Sequence, residues 1–510
     1  MTRTLRETVE AAASLSPADE ELNRRRHTAG FVLGPVAFAG VLLLPMGQLP
    51  GEAHRLAAVL VLVGIFWVTE AVPVAVTALL GPILAILLRV APAQATLAPF
   101  ADPIIFLFIG SFMLAEAAFV HGLDRRVALA ALNSRVAGRS ATRVFVVYSA
   151  VVAAVSMWVS NTAATAMMFP IGLSIVSRVA AARRADPAEV SRFALAMMLT
   201  TAFAATVGGL ATPVGTPPNL IGMGMLERVA HIRISFLGWL AVGIPAMIAL
   251  FVLLVAYFVT GRFTQLKLRA EDKEAIRSEF ESLGPISVGE RNVVLALALT
   301  VTLWLAPGIF SLVHMGETAF GRLYIEIMPE GVAAMVGALL LFLLPVEWRK
   351  RRFTLHWGEA ARIDWGTALL YGGGLALGEL AFATGLAEGA GRLMNGLLPV
   401  HSTFALTVVF TAGAILLSEL TSNTAAAALI VPVAIAVALA AGVRPLEPAL
   451  GATLGSSMGF VMPVSTPANA IVYSSGYIPI GQMVRHGLLL DAAGFLVIVT
   501  AVALFGQSVG

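Results

Sequence analysis

Ser160-Asn161-Thr162-Ala163-Ala164 opens the run SNTAATAMMFP, and Ser422-Asn423-Thr424-Ala425-Ala426 opens SNTAAAALIVP. Seven of the eleven aligned positions are identical, and both copies lie inside apolar sequence. A second pair accompanies the first: TPVGTPPNLI, from Thr212, recurs as MPVSTPANAI, from Met462, with six of ten positions identical. Asn supplies an acceptor and two donors, and Ser and Thr a hydroxyl that is both. Where one helix ends and another begins, the ended helix leaves carbonyls that suit a cation. The starting helix leaves N–H groups that suit an anion. The prolines of TPPN remove donors and stop a helix, which frees further carbonyls. This is the chemistry of holding small ions without charged side chains. Such residues also act as polar glue between packed helices, but matched copies in two halves point to a transporter's binding site.

The windows 156–170, 212–222, 418–432 and 462–472 contain no Lys, Arg or His. A helix dipole contributes about 0.3–2 kcal/mol toward an anion, too little to desolvate a multivalent one. Either the substrate is not an anion, or co-bound cations supply the missing charge. Oxygen-rich, uncharged sites suit Na⁺, and cation and anion binding would then strengthen each other. Glu419 sits one turn before the second tip, opposite Met157 in the first. An acid at membrane depth is a functional hypothesis; cation-site, hairpin-bracing and protonation roles all stay open.

Other chemistries lack their parts. A Ser hydrolase needs a base beside the nucleophile. The eight His residues, at 27, 54, 121, 231, 314, 356, 401 and 486, all read as segment ends or loops outside those windows. There is no cysteine, which excludes disulfides and thiolate metal sites. Met167-Met168 and Met197-Met198 read as packing, and no Gly-Lys-Ser/Thr phosphate loop is present for ATP drive. The expectation is a transporter, not an enzyme, with no organic cofactor.

The elements that must position these motifs follow from composition. Of 510 residues, 58% are hydrophobic and 12% charged, about half the charged fraction of a soluble protein. The class is an all-α polytopic membrane protein. The net charge of +3 gives no reason to expect nucleic acid, and the N-terminus does not read as a cleavable signal. Apolar runs begin near Phe31, His54, Val76 and Pro103. The block 144–177 is interrupted at the first SNT, and another run, from Phe193, breaks at 212–219. A span at 236–260 precedes a charged stretch, 262–291, read as a solvated linker. The second half has spans near 292–312, 331–346 and 365–383. Then come a hairpin block, 404–440, a broken helix at 447–475 and a last span, 487–505.

Arg24-Arg25-Arg26, Arg125-Arg126, Arg183-Arg184, the linker and Arg349-Lys350-Arg351-Arg352 fall on one side if the SNT blocks are re-entrant hairpins. That reading predicts about eleven transmembrane segments plus two re-entrant helical hairpins. The N-terminus is then cytoplasmic, the C-terminus external, and the two halves form an inverted repeat. Gly110-x5-Glu116-x5-Gly122-Leu123 recurs as Gly373-x5-Glu379-x5-Gly385-Leu386, so duplication extends beyond the tips. The expected organisation is a cytosolic extension, 1–29; a first repeat, 30–261, with its tip at 160–162; the linker, 262–291; and a second repeat, 292–510, with its tip at 422–424 and its break at 462–469.

The paired SNT motifs, the paired TPPN-like motifs and the early Phe66-Trp67-Val68-Thr69-Glu70-Ala71-Val72-Pro73 resemble the divalent anion/sodium symporter family, from about residue 30 to the end. The resemblance implies import of C4-dicarboxylates such as succinate, malate and fumarate, or citrate in some members, in a bacterial-type cytoplasmic membrane. It also implies a homodimer with a fixed scaffold and an elevator-like moving domain. One Na⁺ site would resemble Ser156, Ser160, Asn161 and the Gly215 carbonyl. Its partner would resemble Ser418, Ser422, Asn423 and the Ser465 carbonyl. Substrate carboxylates would meet Asn161, Thr162 and Thr216 from one half, and Asn423, Thr424 and Pro467 from the other. The second TPPN is degraded to Thr466-Pro467-Ala468-Asn469, which frees the Ala468 N–H. Some members of the family exchange anions without Na⁺, and a Na⁺-independent dicarboxylate or tricarboxylate exchanger is the alternative.

Overall fold

The computed structural model describes residues 17–45, 49–137, 140–181, 186–261, 263–264, 270–397 and 402–509. Arg183-Arg184, His401 and most of the N-terminal extension lie outside the described residues. Among the described residues, apart from a two-stranded hairpin, Pro345–Glu347 with Arg352–Phe353, the regular structure is helical.

In the first half the helices are α1 (Pro17–Leu43), α2 (Gly51–Thr69), α3 (Val74–Leu87), α4 (Pro103–His121), α5 (Leu123–Leu132), α6 (Ala141–Ser156), α7 (Asn161–Ala181), α8 (Pro187–Gly209), α9 (Pro217–Ala230) and α10 (Phe236–Thr260). The connecting stretch holds α11 (Ala270–Ser282). The second half runs α12 (Val288–Leu312), α13 (Ala319–Ile327), α14 (Glu330–Leu343), α15 (Trp365–Ala383), α16 (Leu386–Leu397), α17 (Thr403–Leu420), α18 (Asn423–Ala440), α19 (Leu446–Gly455), α20 (Pro467–Tyr473) and α21 (Ile480–Phe505). Among the described residues nine helices are long and apolar enough to cross a membrane, or up to eleven if each bent pair is one span. The bent pairs are α13–α14, at 68°, and α15 with the start of α16, at 79°.

Local chemistry sets the boundaries. Asp102 and Asp186 cap α4 and α8 through N–H groups two residues on, each followed by a proline at the first helical position. Ser287 and Glu290 form a reciprocal capping box at the start of α12. The repeated glycine motif also has a structural meaning. Gly122 and Gly385 end α4 and α15 in the left-handed conformation, at φ 69° and 76°, where a Cβ would be strained. Gly110 lies against the Ala334 backbone of α14, and Gly373 against the Ala78 backbone of α3.

The halves interlock. Helix α7 packs on α20, and α9 packs on α18 and α19. Phe203 of α8 meets Phe460 edge-on, with ring centroids 5.0 Å apart. Each hairpin arm thus leans on the broken helix of the other half.

Two expectations from the sequence need correcting. His486 is not at a loop: it is buried within α21, with its Nδ1 2.8 Å from the Tyr257 hydroxyl. The end of the linker is tethered to α5, although most of residues 281–288 stay exposed. Arg126 of α5 binds Glu290, which is 4% exposed, and donates to the carbonyls of Leu283, Gly284 and Pro285. Arg125 pairs with Glu279 of α11 at 2.9 Å. Arg126 thus satisfies a buried carboxylate.

Candidate functional site

The first SNT is a helix end followed by a helix start. Helix α6 stops at Ser156, and α7 begins at Asn161. Ser160 takes the capping position, its Oγ accepting from the Ala163 N–H at 3.3 Å. Fully buried Ser156 donates its hydroxyl to Asn161 Oδ1 at 2.9 Å. The second copy repeats each feature. Ser422 Oγ accepts from Ala425 N at 3.3 Å, and Ser418 Oγ donates to Asn423 Oδ1 at 2.7 Å.

The breaks are built alike. Asn219 Nδ2 donates to the carbonyls of Gly209 and Thr212, at 2.9 and 2.8 Å. Asn469 Nδ2 donates to Gly459 and Met462, at 2.9 and 3.0 Å. In both halves the partners lie ten and seven residues before the Asn. The Asn of TPPN is therefore the pin that closes the broken segment over carbonyls no helix can satisfy. Both Asn side chains are fully buried, and among the described residues both Oδ1 atoms lack a partner.

Tip and break meet in each half. A methyl group on Gly209 would collide with Asn161 Oδ1 and lie 3.1 Å from the Gly215 carbonyl oxygen. The corresponding Gly459 has Asn423 Oδ1 at 3.0 Å and Ser418 Oγ at 3.4 Å from that point. Each cradle collects neutral oxygens that could hold an alkali cation. Thr212 further ties the first break to its tip by donating to the Met157 carbonyl.

The substrate candidates divide. Thr162 and Thr424 are half-buried, and among the described residues their hydroxyls make no hydrogen bond. They are free to meet a ligand. Thr216 is buried without capping its helix, whereas Thr466 spends its hydroxyl on the Asn469 N–H at 3.1 Å. Pro467 is exposed. Ser465 turns its hydroxyl onto Glu419 Oε2, at 2.6 Å, leaving its carbonyl as the candidate ligand.

The structure adds participants that spacing could not suggest. The second cradle also holds the carbonyls of Ser456, an alternative acceptor 2.8 Å from Ser418 Oγ for its single proton, and of Ser457, which accepts from Asn423 Nδ2 at 3.3 Å. Glu419 Oε1 accepts from the N–H groups of Phe460 and Val461, at 2.7 and 3.0 Å, so it braces the hairpin onto the break. Arg26, near the start of α1, bonds Glu70 at 3.2 Å and reaches the Leu420 carbonyl at 3.4 Å. A cation therefore approaches the second tip from 394 positions away in sequence.

The chain matches the family described as the sodium:sulfate symporter transmembrane region over residues 26–510. It is 33% identical over 481 residues to the sodium-dependent dicarboxylate transporter SdcS of Staphylococcus saprophyticus, covering 93% of this chain and 90% of that protein. SdcS of Staphylococcus aureus (strain USA300) is 32% identical, with the same coverage. Two solved transporters share the fold at low identity. YdaH of Alcanivorax borkumensis gives a TM-score of 0.54 at 14% identity, over 81% of this chain and 86% of that one. MtrF of Neisseria gonorrhoeae gives 0.52 at 12%, over 91% and 96%. A family match over nearly the whole length, on a helical scaffold with two oxygen-lined tip-and-break cradles, makes this chain a membrane transporter belonging to the sodium:sulfate symporter family.

Proposed function

We propose that the protein is a secondary transporter that imports C4-dicarboxylates, such as succinate, malate and fumarate, together with Na⁺. The observation that carries this reading is the matched Ser–Asn pair at each tip, 2.9 Å in one half and 2.7 Å in the other. Each pair lies in a cradle of neutral oxygens. Na⁺ would sit with Ser156, Ser160, Asn161 and the Gly215 carbonyl in the first, and with Ser418, Ser422, Asn423 and the Ser465 carbonyl in the second. With both cations present, the helix starts at Asn161, Pro217, Asn423 and Pro467 become a site for a dianion. Asn161, Thr162, Thr216, Asn423, Thr424 and Pro467 would contact its carboxylates. Neither ion is well held alone, so binding energy couples their movement. The SdcS relatives, described as sodium-dependent dicarboxylate transporters, support this substrate class.

In this reading the halves are inverted repeats joined at 262–291, with the N-terminus cytoplasmic and the C-terminus external in a bacterial-type inner membrane. A homodimer anchors a fixed scaffold, and the tip-and-break domain moves through it as an elevator. Cysteines placed at 160 and 422 label from opposite sides of the membrane; same-side labelling would remove the inversion.

The deciding experiment is labelled-succinate uptake into proteoliposomes, with an inward Na⁺ gradient, with K⁺ replacing Na⁺, and with internal unlabelled dicarboxylate. Uptake that needs Na⁺ and not preloading supports symport. Uptake that needs internal dicarboxylate and ignores Na⁺ makes the protein an exchanger. Competition by sulfate but not by succinate would reassign the dianion.

A further inference from the structure

Helices α10 and α21 are both long and apolar enough to cross a membrane, and they pack on each other. Tyr257, near the end of α10, meets His486, near the start of α21, and Leu250 lies beside Gly494. The two helices therefore run antiparallel. Between them lies a cleft of about 220 Å³, with the buried ring of Phe203 of α8 in its lining. Two of its lining residues, Leu253 and Leu489, are 45% and 50% exposed. Val252 and Leu488 beside them are exposed as well. Exposed apolar residues on a membrane-crossing helix face hydrocarbon, so the cleft opens onto lipid and away from the two cation cradles.

The cleft is polar at one end only. There the rings of Tyr257, Phe258, Phe263 and His486 cluster with centroids 5.2 to 6.2 Å apart, a wedge between the two helices. His486 lines the cleft, with its Nδ1 2.8 Å from the Tyr257 hydroxyl. Its Nε2 is buried and has no partner among the described residues. Arg485 continues the lining stripe: it lies one turn before Leu489 on the same face of α21. Helical side chains lean toward the helix start, so the Arg485 guanidinium extends toward the membrane surface. It is exposed, and among the described residues it forms no ion pair. From Arg485 to Ala493 the helix rises about 12 Å. Along that distance come a free cation, a polar pair and an apolar trough, in the order in which an anionic amphiphile carries its own parts.

We propose that this cleft is a binding site for one anionic phospholipid of the bilayer. One acyl chain lies in the trough past Leu489 and Ala493, the phosphate sits on Arg485, and the ester groups lie at the level of the Tyr257–His486 pair. Water is a poor occupant, because beyond that pair the lining offers it no partners. An empty trough would forfeit the dispersion contacts that an acyl chain supplies. The chain gains nothing from water by entering, since the rest of the bilayer is equally apolar. Selectivity between lipids therefore comes from the charge at Arg485, and retention from the filled trough. The site rests on the membrane-crossing helices alone and is independent of which anion is transported.

The test is native mass spectrometry of the purified, delipidated full chain, titrated with phosphatidylglycerol or with phosphatidylcholine of the same acyl chains. The wild type is expected to bind its first phosphatidylglycerol about fivefold more tightly than its first phosphatidylcholine. Arg485→Ala is expected to bind the two lipids alike. Ala493→Trp fills the trough and is expected to weaken the first binding step for both lipids; Leu489→Trp, at the exposed rim, serves if that variant fails to fold. Leu295→Trp, on an exposed part of α12, is the control and is expected to bind as the wild type does. Equal affinity for the two lipids in the wild type, or a preference that survives Arg485→Ala, overturns the proposal. Lipid binding that is unchanged in a folded trough-filling variant, or weakened equally by Leu295→Trp, does so too. A wild-type dimer that the trough-filling variant splits, with lipid binding unaltered, would make this face an interface between two copies of the chain and would also overturn it.

Discussion

Thr421, one residue before the second SNT, donates its hydroxyl to the Trp67 carbonyl at 2.7 Å across 354 positions of sequence. Trp67 is in the last turn of α2, where carbonyls have no intrahelical N–H. The hairpin tip thus caps the helix that ends in FWVTEAVP. Glu70 follows in the left-handed conformation, at φ 51°, and holds Arg26 near the Leu420 carbonyl. The early motif is the surface on which the second tip rests.

Thr421→Val keeps the side-chain shape and leaves the Trp67 carbonyl buried without a partner. The expected cost is about 1–3 kcal/mol of stability, read as a lower Tm in detergent. An unchanged Tm would show that the contact is not maintained in the folded protein.

Ser156→Ala and Ser418→Ala each remove one candidate oxygen ligand while sparing the fold. Each is expected to raise the Na⁺ concentration for half-maximal uptake roughly tenfold, equivalent to about 1.4 kcal/mol. Asn161→Ala and Asn423→Ala are expected to abolish uptake at normal membrane expression. Ser149, whose hydroxyl returns to the Phe145 carbonyl of its own helix, is the control, and Ser149→Ala should transport normally.

Asn219→Leu and Asn469→Leu each strand two buried carbonyls. Each loss is expected to cost about 2–5 kcal/mol, enough to cut the yield of folded protein. Folded, active N219L would mean that the break closes without its pin.

Asp124 begins α5, outside the membrane-spanning helices, and burial raises its carboxyl from the usual value of 3.8 to about 6. The raised value gives the direction: native stability is fully present below pH 4 and falls as pH rises through about 6. Asp124→Asn removes that loss while keeping an acceptor for the Arg125 N–H. At pH 8 the variant should be more stable by about 1–3 kcal/mol, with no difference at pH 4. A Tm difference independent of pH would contradict this origin.

The sequence by itself determined the class, the duplicated tips and the two breaks. These are local features: a Ser, Asn or Pro within an apolar run has to end a helix and satisfy its own polar atoms nearby. The pairing of Ser156 with Asn161, five residues apart, and of Asn219 with Gly209, ten apart, came only with the structure, although each joins residues of one motif region. What the tertiary structure decided was which distant group meets each tip. Trp67 beneath Thr421, Arg26 beside Leu420, the capture of the linker by Arg126 and the contact of His486 with Tyr257 join segments that share no periodicity or spacing. Each arises from helices packing side by side, and that packing is set by how all the apolar faces fit at once. No short stretch of sequence records that fit.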